Sequence, residues 1–404
     1  MRILLVNKYW YLRGGAERVA ISTKELLEAA GHTVAVFGMH HPDNVCTSPY
    51  FIDYIDYTTL RWYAALRAGV KALYNREAKK KFAALVAEFQ PDVVHFHNIY
   101  HQLSFSLLDV IRRTGIPAVM TLHDYQMISS NYALFHHGAI AEESLGGSYY
   151  RGFLKNNMEQ WGESLIAMLI AYRRDWRHDS EVIGMYLSPS VFLKTKFVQA
   201  GWDESRITVV PNPLWPIPTD IDNRSVEQSS APVVFFGRLS PEKGLHILLD
   251  AAALTPQIPY ELVGTGPMSA ELQARIEKEH LNNVTLVGFL KGEALFARLR
   301  AATLIVLPAI WYENAPQSIV EATALGQVVI ATNIGGTAEL LPADLLCPPW
   351  RSDVLAERIR EWYHAPAALR KKVGDKLREV TWKRHDAQTY VQTLEGVYAE
   401  ARKQ

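Results

Sequence analysis

The segment Leu304-Ile-Val-Leu-Pro-Ala-Ile-Trp-Tyr-Glu313-Asn-Ala-Pro316-Gln-Ser-Ile-Val-Glu321-Ala-Thr-Ala-Leu-Gly326-Gln-Val-Val-Ile-Ala-Thr-Asn-Ile-Gly335-Gly-Thr-Ala-Glu-Leu-Leu341 alternates apolar runs with polar loops. It reads as strand, acidic loop, helix, strand, glycine loop, helix. Pro308 closes the first apolar run. Asn314 or Ala315 is expected at the helix cap, with Pro316 in the first turn, where its missing N–H costs nothing. Ile319, Val320, Ala322, Thr323 and Leu325 fill that helix, and Gly326 supplies its stop. Residues 328–331 form the next buried strand, and Gly335-Gly336 are expected to open a second helix at Thr337. Two helix N-termini would then point the same way, each with unpaired N–H groups and a partial positive charge that suit a phosphate.

The same grammar runs outward in both directions. Residues 2–6, 34–37, 92–96, 118–122, 182–188 and 207–210 are apolar strand-like runs, and helical patterns separate the first of them. Residues 233–236, 260–263 and 284–287 continue the series in the second half. Strands alternating with helices mean mostly parallel sheets covered on both faces, so the class is α/β. Between Pro211 and Pro232 the periodicity vanishes and five prolines accumulate, which marks an interdomain linker. The expected division is a first Rossmann-like domain over 1–212, a linker over 213–231, a second Rossmann-like domain over 232–385, and a final helix over 386–404. Ligands of open parallel sheets bind beyond the strand C-termini, so the expected site is a cleft between two such domains.

Glu313 and Glu321 stand eight apart, one in the loop before the helix and one inside it. Carboxylates so placed can accept hydrogen bonds from sugar hydroxyls on either side of a bound phosphate. Taken alone, Glu313 reads better as a partner of the helix dipole and Glu321 as a solvated helix residue; the pair at this spacing, beside Pro316 and the double glycine, favours the site. Upstream, Gly237-Arg238-Leu-Ser-Pro-Glu-Lys243-Gly244 follows a strand and precedes a helix. Arg238 and Lys243 can reach one site, the first as a planar fork for phosphate oxygens and the second as a compact charge. A Glu-x7-Glu pair behind an Arg/Lys loop resembles retaining glycosyltransferases of family 4, which have the GT-B fold: two Rossmann-like domains facing across a cleft, with a C-terminal helix crossing back to the first.

That resemblance implies roles residue by residue. Arg238 and Lys243 would bind the donor diphosphate and stabilise the charge that grows on it as it leaves. Glu313 and Glu321 would hold the sugar and ribose, with Asn314, Ala315 and Pro316 beside them. Gly264 and the 288–290 stretch ending in Leu290 would frame the base through backbone. Gly14 and Gly15, a glycine turn after the first strand, would approach the donor phosphate or the acceptor; a plain tight turn also accounts for them. His123 would sit next to the donor sugar, and Asp124 would orient it or bind the acceptor. The catalytic set implied is His123, Arg238, Lys243 and Glu313. His95, His97, His101, His136 and His137 show no helical metal spacing, and core or surface roles fit them. Asp220-Ile-Asp222 looks like an Asp-x-Asp metal site, but it falls in the linker and reads as chance. No metal or other cofactor is expected, the nucleoside diphosphate sugar being a co-substrate.

The composition agrees. Across 404 residues, 49% are hydrophobic and 21% charged, and Lys plus Arg equals Asp plus Glu at 42 each, so nothing pulls the chain toward nucleic acid. Cys46 and Cys347 form no redox or metal spacing, as in a reducing cytosol. The first apolar run is too short for a signal-peptide core, and no run approaches the ~20 residues of a membrane span. The expected location is therefore cytoplasmic, with a possible peripheral contact at the inner face of the membrane. Residues 60–89 carry seven basic side chains against two acidic ones. Leu66, Val70, Leu73, Phe82, Leu85, Val86 and Phe89 fit a buried stripe there. The segment reads either as a packed helix with a solvated face or as an anionic-membrane contact helped by Trp62 and Tyr63, and Tyr172-Arg-Arg-Asp-Trp-Arg177 is a second aromatic-basic cluster.

The function implied is transfer of a sugar from a nucleoside diphosphate sugar to a glycan or lipid-linked glycan acceptor in cell-surface polysaccharide synthesis, with retention of anomeric configuration. A nucleotide-sugar 2-epimerase of the same fold, or a non-catalytic sugar-nucleotide-binding subunit, are the rival readings.

Overall fold

A computed structural model describes residues 1–54, 69–214 and 231–403. The chain divides into two compact units: Met1–His137, Ala141–Pro213 and Ala387–Gln404 form one, and Gly138–Ile140 with Leu214–Asp386 form the other.

The first unit is built on six strands, β1 (Arg2–Val6), β2 (Thr33–Phe37), β3 (Val93–Phe96), β4 (Ala118–Thr121), β5 (Met185–Ser188) and β6 (Ile207–Val209). They lie in the order β2-β1-β3-β4-β5-β6, all parallel. Ile3, Leu4, Leu5, Val93, Val94 and Phe96 are fully buried. Such continuous apolar runs are what a parallel sheet covered on both faces demands. The last helix, Ala387–Ala401, packs within this unit. Its Tyr390 hydroxyl lies 2.8 Å from that of Thr23, and its Tyr398 hydroxyl 2.7 Å from His95 Nδ1.

The second unit repeats the plan with β7 (Val233–Phe236), β8 (Tyr260–Val263), β9 (Val284–Gly288), β10 (Leu304–Leu307), β11 (Val329–Thr332) and β12 (Leu346–Cys347). The order is β9-β8-β7-β10-β11-β12, again parallel. In each sheet the chain builds outward on one side and then returns to the other side of its first strand. The reversals fall between β1 and β3 and between β7 and β10. Loops leaving adjacent strands diverge there, which leaves room for a ligand beyond the carboxyl ends.

Three local expectations are corrected. The helix after β10 spans Gln317–Ala324, and Pro316 is its N-cap, extended at φ −66° and ψ 109°, with no side-chain cap bond. The Gly335-Gly336 turn leads into a five-residue 3₁₀ helix, Gly335–Glu339, and Thr337 opens no α-helix. Its single tight turn makes it a poorer donor array than an α-helix terminus. In the basic segment, the helix Arg76–Phe89 starts afresh at Asn75, whose extended backbone (φ −93°, ψ 96°) breaks the run and whose side chain accepts from Ala78 N at 3.0 Å. The helical phase resets at that cap, so Val70 does not join Phe82, Leu85 and Val86 in the core but stands exposed. Arg61, Trp62, Tyr63 and Arg67 lie outside the described residues, as do Asp220 and Asp222. Among the described residues no helix is long and apolar enough to cross a membrane.

Candidate functional site

In the second unit, the loops leaving β7, β8, β10 and β11 meet at their backbones. After β7, Gly237 N donates to Val263 O (3.0 Å) and Leu239 N to Thr265 O (3.0 Å), tying the Arg238 loop to the Gly264 loop. Gly264 N in turn donates to Gly288 O (2.8 Å), and Leu290 rests half-buried against this unit's core. The β7 loop then closes on the β10 loop: Ile310 N donates to Glu242 O (2.9 Å). Gly244 makes that approach possible, because a Cβ there would stand 1.9 Å from Pro308 O. On the other side Gly335, at φ +65°, presses on Glu313; a Cβ would lie 2.3 Å from Glu313 O, and Gly336 N donates to that oxygen at 2.6 Å. Two side-chain-free contacts thus bracket the acidic loop.

The consequence is a defined pair. Lys243 Nζ lies 2.6 Å from Glu313 Oε1, with both side chains mostly shielded from solvent, and 5.1 Å from the Trp311 ring centroid. The strands that carry them, β7 and β10, are the neighbours at the topological reversal. An ammonium has three N–H donors. One serves Glu313, so a phosphate can be received without breaking the pair. Arg238 is exposed and makes no ion pair among the described residues. Glu321 is buried inside Gln317–Ala324, which removes the solvated-helix reading for it. Asn314 and Ala315 are half-buried in the connecting loop, and Pro316 is buried.

The first unit has its own cluster at the reversal. Lys8 follows β1, and its backbone N donates to Asn98 O at 2.9 Å, beyond β3. Gly14 caps the helix Gly15–Ala29 with an extended backbone, and Glu17 in the first turn is buried 3.3 Å from where a Gly14 Cβ would stand. Burial holds the Lys8 ammonium below its ordinary range while Glu17 and Asp124 pull it back up. Burial likewise raises the Glu17 carboxyl against the opposing pull of Lys8. Desolvation thus outweighs attraction at both ends. Asp124 is pushed up to about 6 by burial, although its Oδ1 accepts from Gln126 N at 2.9 Å.

Beside these charges three imidazoles stack. The His95 and His97 ring centroids are 4.4 Å apart, and those of His97 and His123 5.2 Å. His97 Nδ1 and His123 Nε2 share a hydrogen bond of 2.9 Å. Burial lowers all three, His95 and His123 to about 3, and neighbouring imidazoles lower His95 and His97 further. Neutral rings result at pH 7, each able to donate from one nitrogen and accept at the other.

Residues 13–214, half of the chain, match the family model described as Glycosyltransferase Family 4, and residues 219–380 match Glycosyl transferases group 1. The chain belongs to glycosyltransferase family 4. A protein of the cps region of Klebsiella pneumoniae, itself uncharacterized, is 25% identical over 84% of this chain and 87% of its own. The putative teichuronic acid biosynthesis glycosyltransferase TuaC of Bacillus subtilis is 32% identical over 41% of each chain. Among solved structures, sucrose-phosphate synthase from Thermosynechococcus elongatus shares the fold with a TM-score of 0.70 at 19% identity, covering 99% of this chain and 98% of its own. Anabaena HepE in complex with UDP-glucose does so with a TM-score of 0.62 at 21% identity, covering 99% and 100%. The two-sheet α/β architecture of this family 4 chain is thus the GT-B fold.

Within it, sequence reasoning singled out Lys243, Glu313, Gly14, His123 and Asp124, left His97 to a core or surface role, and gave none to Lys8, Glu17 or Trp311; His97 is fully buried. The signal was position: His97 comes directly after the run of β3 and Lys8 two residues after that of β1. Among the described residues no group of three or more His, Cys, Asp or Glu is arranged to hold a metal ion.

Proposed function

We propose that this chain moves a sugar from a nucleoside diphosphate sugar to a glycan or lipid-linked glycan, retaining the anomeric configuration, in the synthesis of a cell-surface polysaccharide. The observation that carries the reading is the Lys243–Glu313 pair, 2.6 Å apart beyond two adjacent parallel strands, fixed by glycine contacts on both sides. Lys243 and Arg238 receive the diphosphate, assisted by Gly15. Glu313, Asn314, Ala315 and Pro316 hold the sugar end, Glu321 the ribose, and the Gly264 and Leu290 backbone the base. His123, kept neutral by burial and oriented by its hydrogen bond with His97, donates to a sugar hydroxyl. Gly14 and Asp124 serve the acceptor.

The reaction on this reading is a same-face displacement. The bond from the anomeric carbon to the phosphate oxygen breaks, and a bond from that carbon to the acceptor oxygen forms. The acceptor proton passes to the departing phosphate, and Lys243 and Arg238 stabilise the charge left on the diphosphate. No resident metal is required. Names among the relatives support the polysaccharide setting, including the O-antigen chain mannosyltransferase C of Escherichia coli, and the HepE complexes with UDP and UDP-glucose support the donor class. Cytoplasmic action at the inner membrane face belongs to the same reading.

A panel of UDP-, GDP- and ADP-sugars in a thermal-shift assay identifies the donor, and NMR of the product reads the anomer. Retained configuration in an acceptor-linked product is expected. An inverted product overturns retention. Epimerised donor without acceptor, or binding with neither transfer nor donor hydrolysis, overturns the transferase.

A further inference from the structure

The helix Trp161–Trp176 presents an unusual outer face. Its buried positions are Ser164, Ala167, Ile170, Ala171 and Arg174. Its exposed positions include Trp161, Leu165, Leu169, Tyr172 and Trp176, spaced four, four, three and four, with the two terminal tryptophans 58% and 79% exposed. That spacing is one continuous stripe of an α-helix, here turned outward. The short helix Tyr149–Leu154 extends it: Phe153 packs edge-on against Trp161, Tyr150 N donates to the Tyr172 hydroxyl at 3.3 Å, and Tyr150 and Leu154 are exposed. A soluble surface seldom keeps so many large apolar groups together without using them.

Bases border the stripe at its short-helix end. Of the exposed acids nearby, Glu159 accepts from His137 N at 3.0 Å, and Glu163, two residues on from Trp161, lies on the other side of the helix. Arg151 and Lys155 are exposed, with no acidic partner among the described residues. The nearby Asp175 is already taken by Arg174 (2.7 Å) and by the Tyr149 hydroxyl (2.7 Å). The described part of the basic segment, from Gly69 onward, lies alongside. A Cβ on Gly69 would stand 2.8 Å from Ile166, and the Arg173 guanidinium lies 5.1 Å from the Tyr74 ring. A single helix face of roughly 250–350 Å² is far below the ~800 Å² per partner of a stable protein interface. Tryptophan and tyrosine at both ends with leucine between suit the boundary between water and lipid.

We propose that this face seats the protein on an anionic bilayer, the Trp161–Trp176 stripe entering the headgroup region and Arg151 and Lys155 meeting the lipid charge. The proposal does not depend on the donor assignment, and the test separates them. The full chain is floated with vesicles of phosphatidylcholine containing phosphatidylglycerol, and with phosphatidylcholine alone, at low and high salt. Flotation with the anionic vesicles, weakened by salt, is expected. The double variant Trp161→Gln/Trp176→Gln should reduce partitioning roughly tenfold or more, with thermal shifts by nucleotide sugars unchanged. Because apolar variants can misfold, Arg151→Glu/Lys155→Glu is a second probe, expected to abolish the preference for anionic vesicles. Failure of the wild-type chain to float at low salt overturns the proposal. So does a wild-type dimer that the tryptophan variant turns into a monomer, which would give this face to a second copy.

Discussion

The two strand-end clusters sit at equivalent points of two similarly wound sheets and are built from opposite materials. Beyond β7 and β10 the second unit offers a fixed ion pair, Lys243 with Glu313, set by backbone contacts that only glycine permits. Beyond β1, β3 and β4 the first unit offers stacked neutral imidazoles and carboxyls held above their ordinary range. One arrangement suits a ligand of permanent negative charge. The other suits hydroxyl groups, which need donors and acceptors but no net charge. The same wound sheet can therefore serve a diphosphate or an alcohol, and the burial and charge of about four side chains decide which.

The comparison breaks first at Lys243. Lys243→Ala removes the compact cation and leaves Glu313 partly buried without its partner. Transfer kcat/KM should fall roughly 10²- to 10³-fold, and the thermal shift by the nucleotide sugar should vanish. An unchanged rate in a radiolabelled transfer assay would remove the charge-based half of the contrast.

The glycines provide the second test. Gly335 and Gly115 have nearly the same φ, +65° and +67°, but only Gly335 has backbone within reach of a Cβ. Gly115→Ala should cost about 1 kcal/mol, the ordinary penalty of a left-handed residue. Gly335→Ala should cost about 3 kcal/mol or more, since Glu313 must move as well. Urea unfolding of both variants measures the difference, and equal costs would show that the Glu313 contact is not tight.

Acid provides the third. His95 is fully buried, with its pKa held at about 3 against an ordinary 6.5. Between those values the unfolded chain takes up a proton that the native chain refuses, so stability is lost as pH falls from 6.5 toward 3. The slope is about 1.4 kcal/mol per pH unit for each such group. His95→Gln should flatten it in chemical denaturation followed against pH. Asp124 works in the opposite direction: raised from 3.8 to about 6, it contributes stability that is lost as pH rises through that window.

The smallest effect sharpens the role of Asp124. If its carboxylate serves the acceptor, transfer should decline as pH drops below about 6, where Asp124 takes a proton. Asp124→Asn should give a rate roughly tenfold lower without that limb. A limb that persists in the variant assigns it to another group.

Much of this was readable from the chain alone. Apolar runs mark six strands in the first half and five in the second, because a strand buried on both faces must be continuously apolar; the two-residue β12 leaves no such run. Spacing alone put Lys243 and Glu313 on strand-end loops of the same half. Their 2.6 Å contact could not be read there, since it depends on β7 and β10 being neighbours although 67 residues separate their ends from their starts. The resemblance of 60–89 to one continuous amphipathic stripe failed at Asn75, where a side-chain cap reset the helical phase. His97 and Lys8 carried no motif. Their character comes from burial beside His123, Glu17 and Asp124, residues brought close only by the parallel register of β1, β3 and β4. Local sequence determined the elements and the residue types at their ends, because propensity and periodicity act over a few residues. Only the tertiary structure decided which charges are paired, which imidazoles are neutral and which apolar face stays outside, because desolvation and contact depend on neighbours distant in the chain.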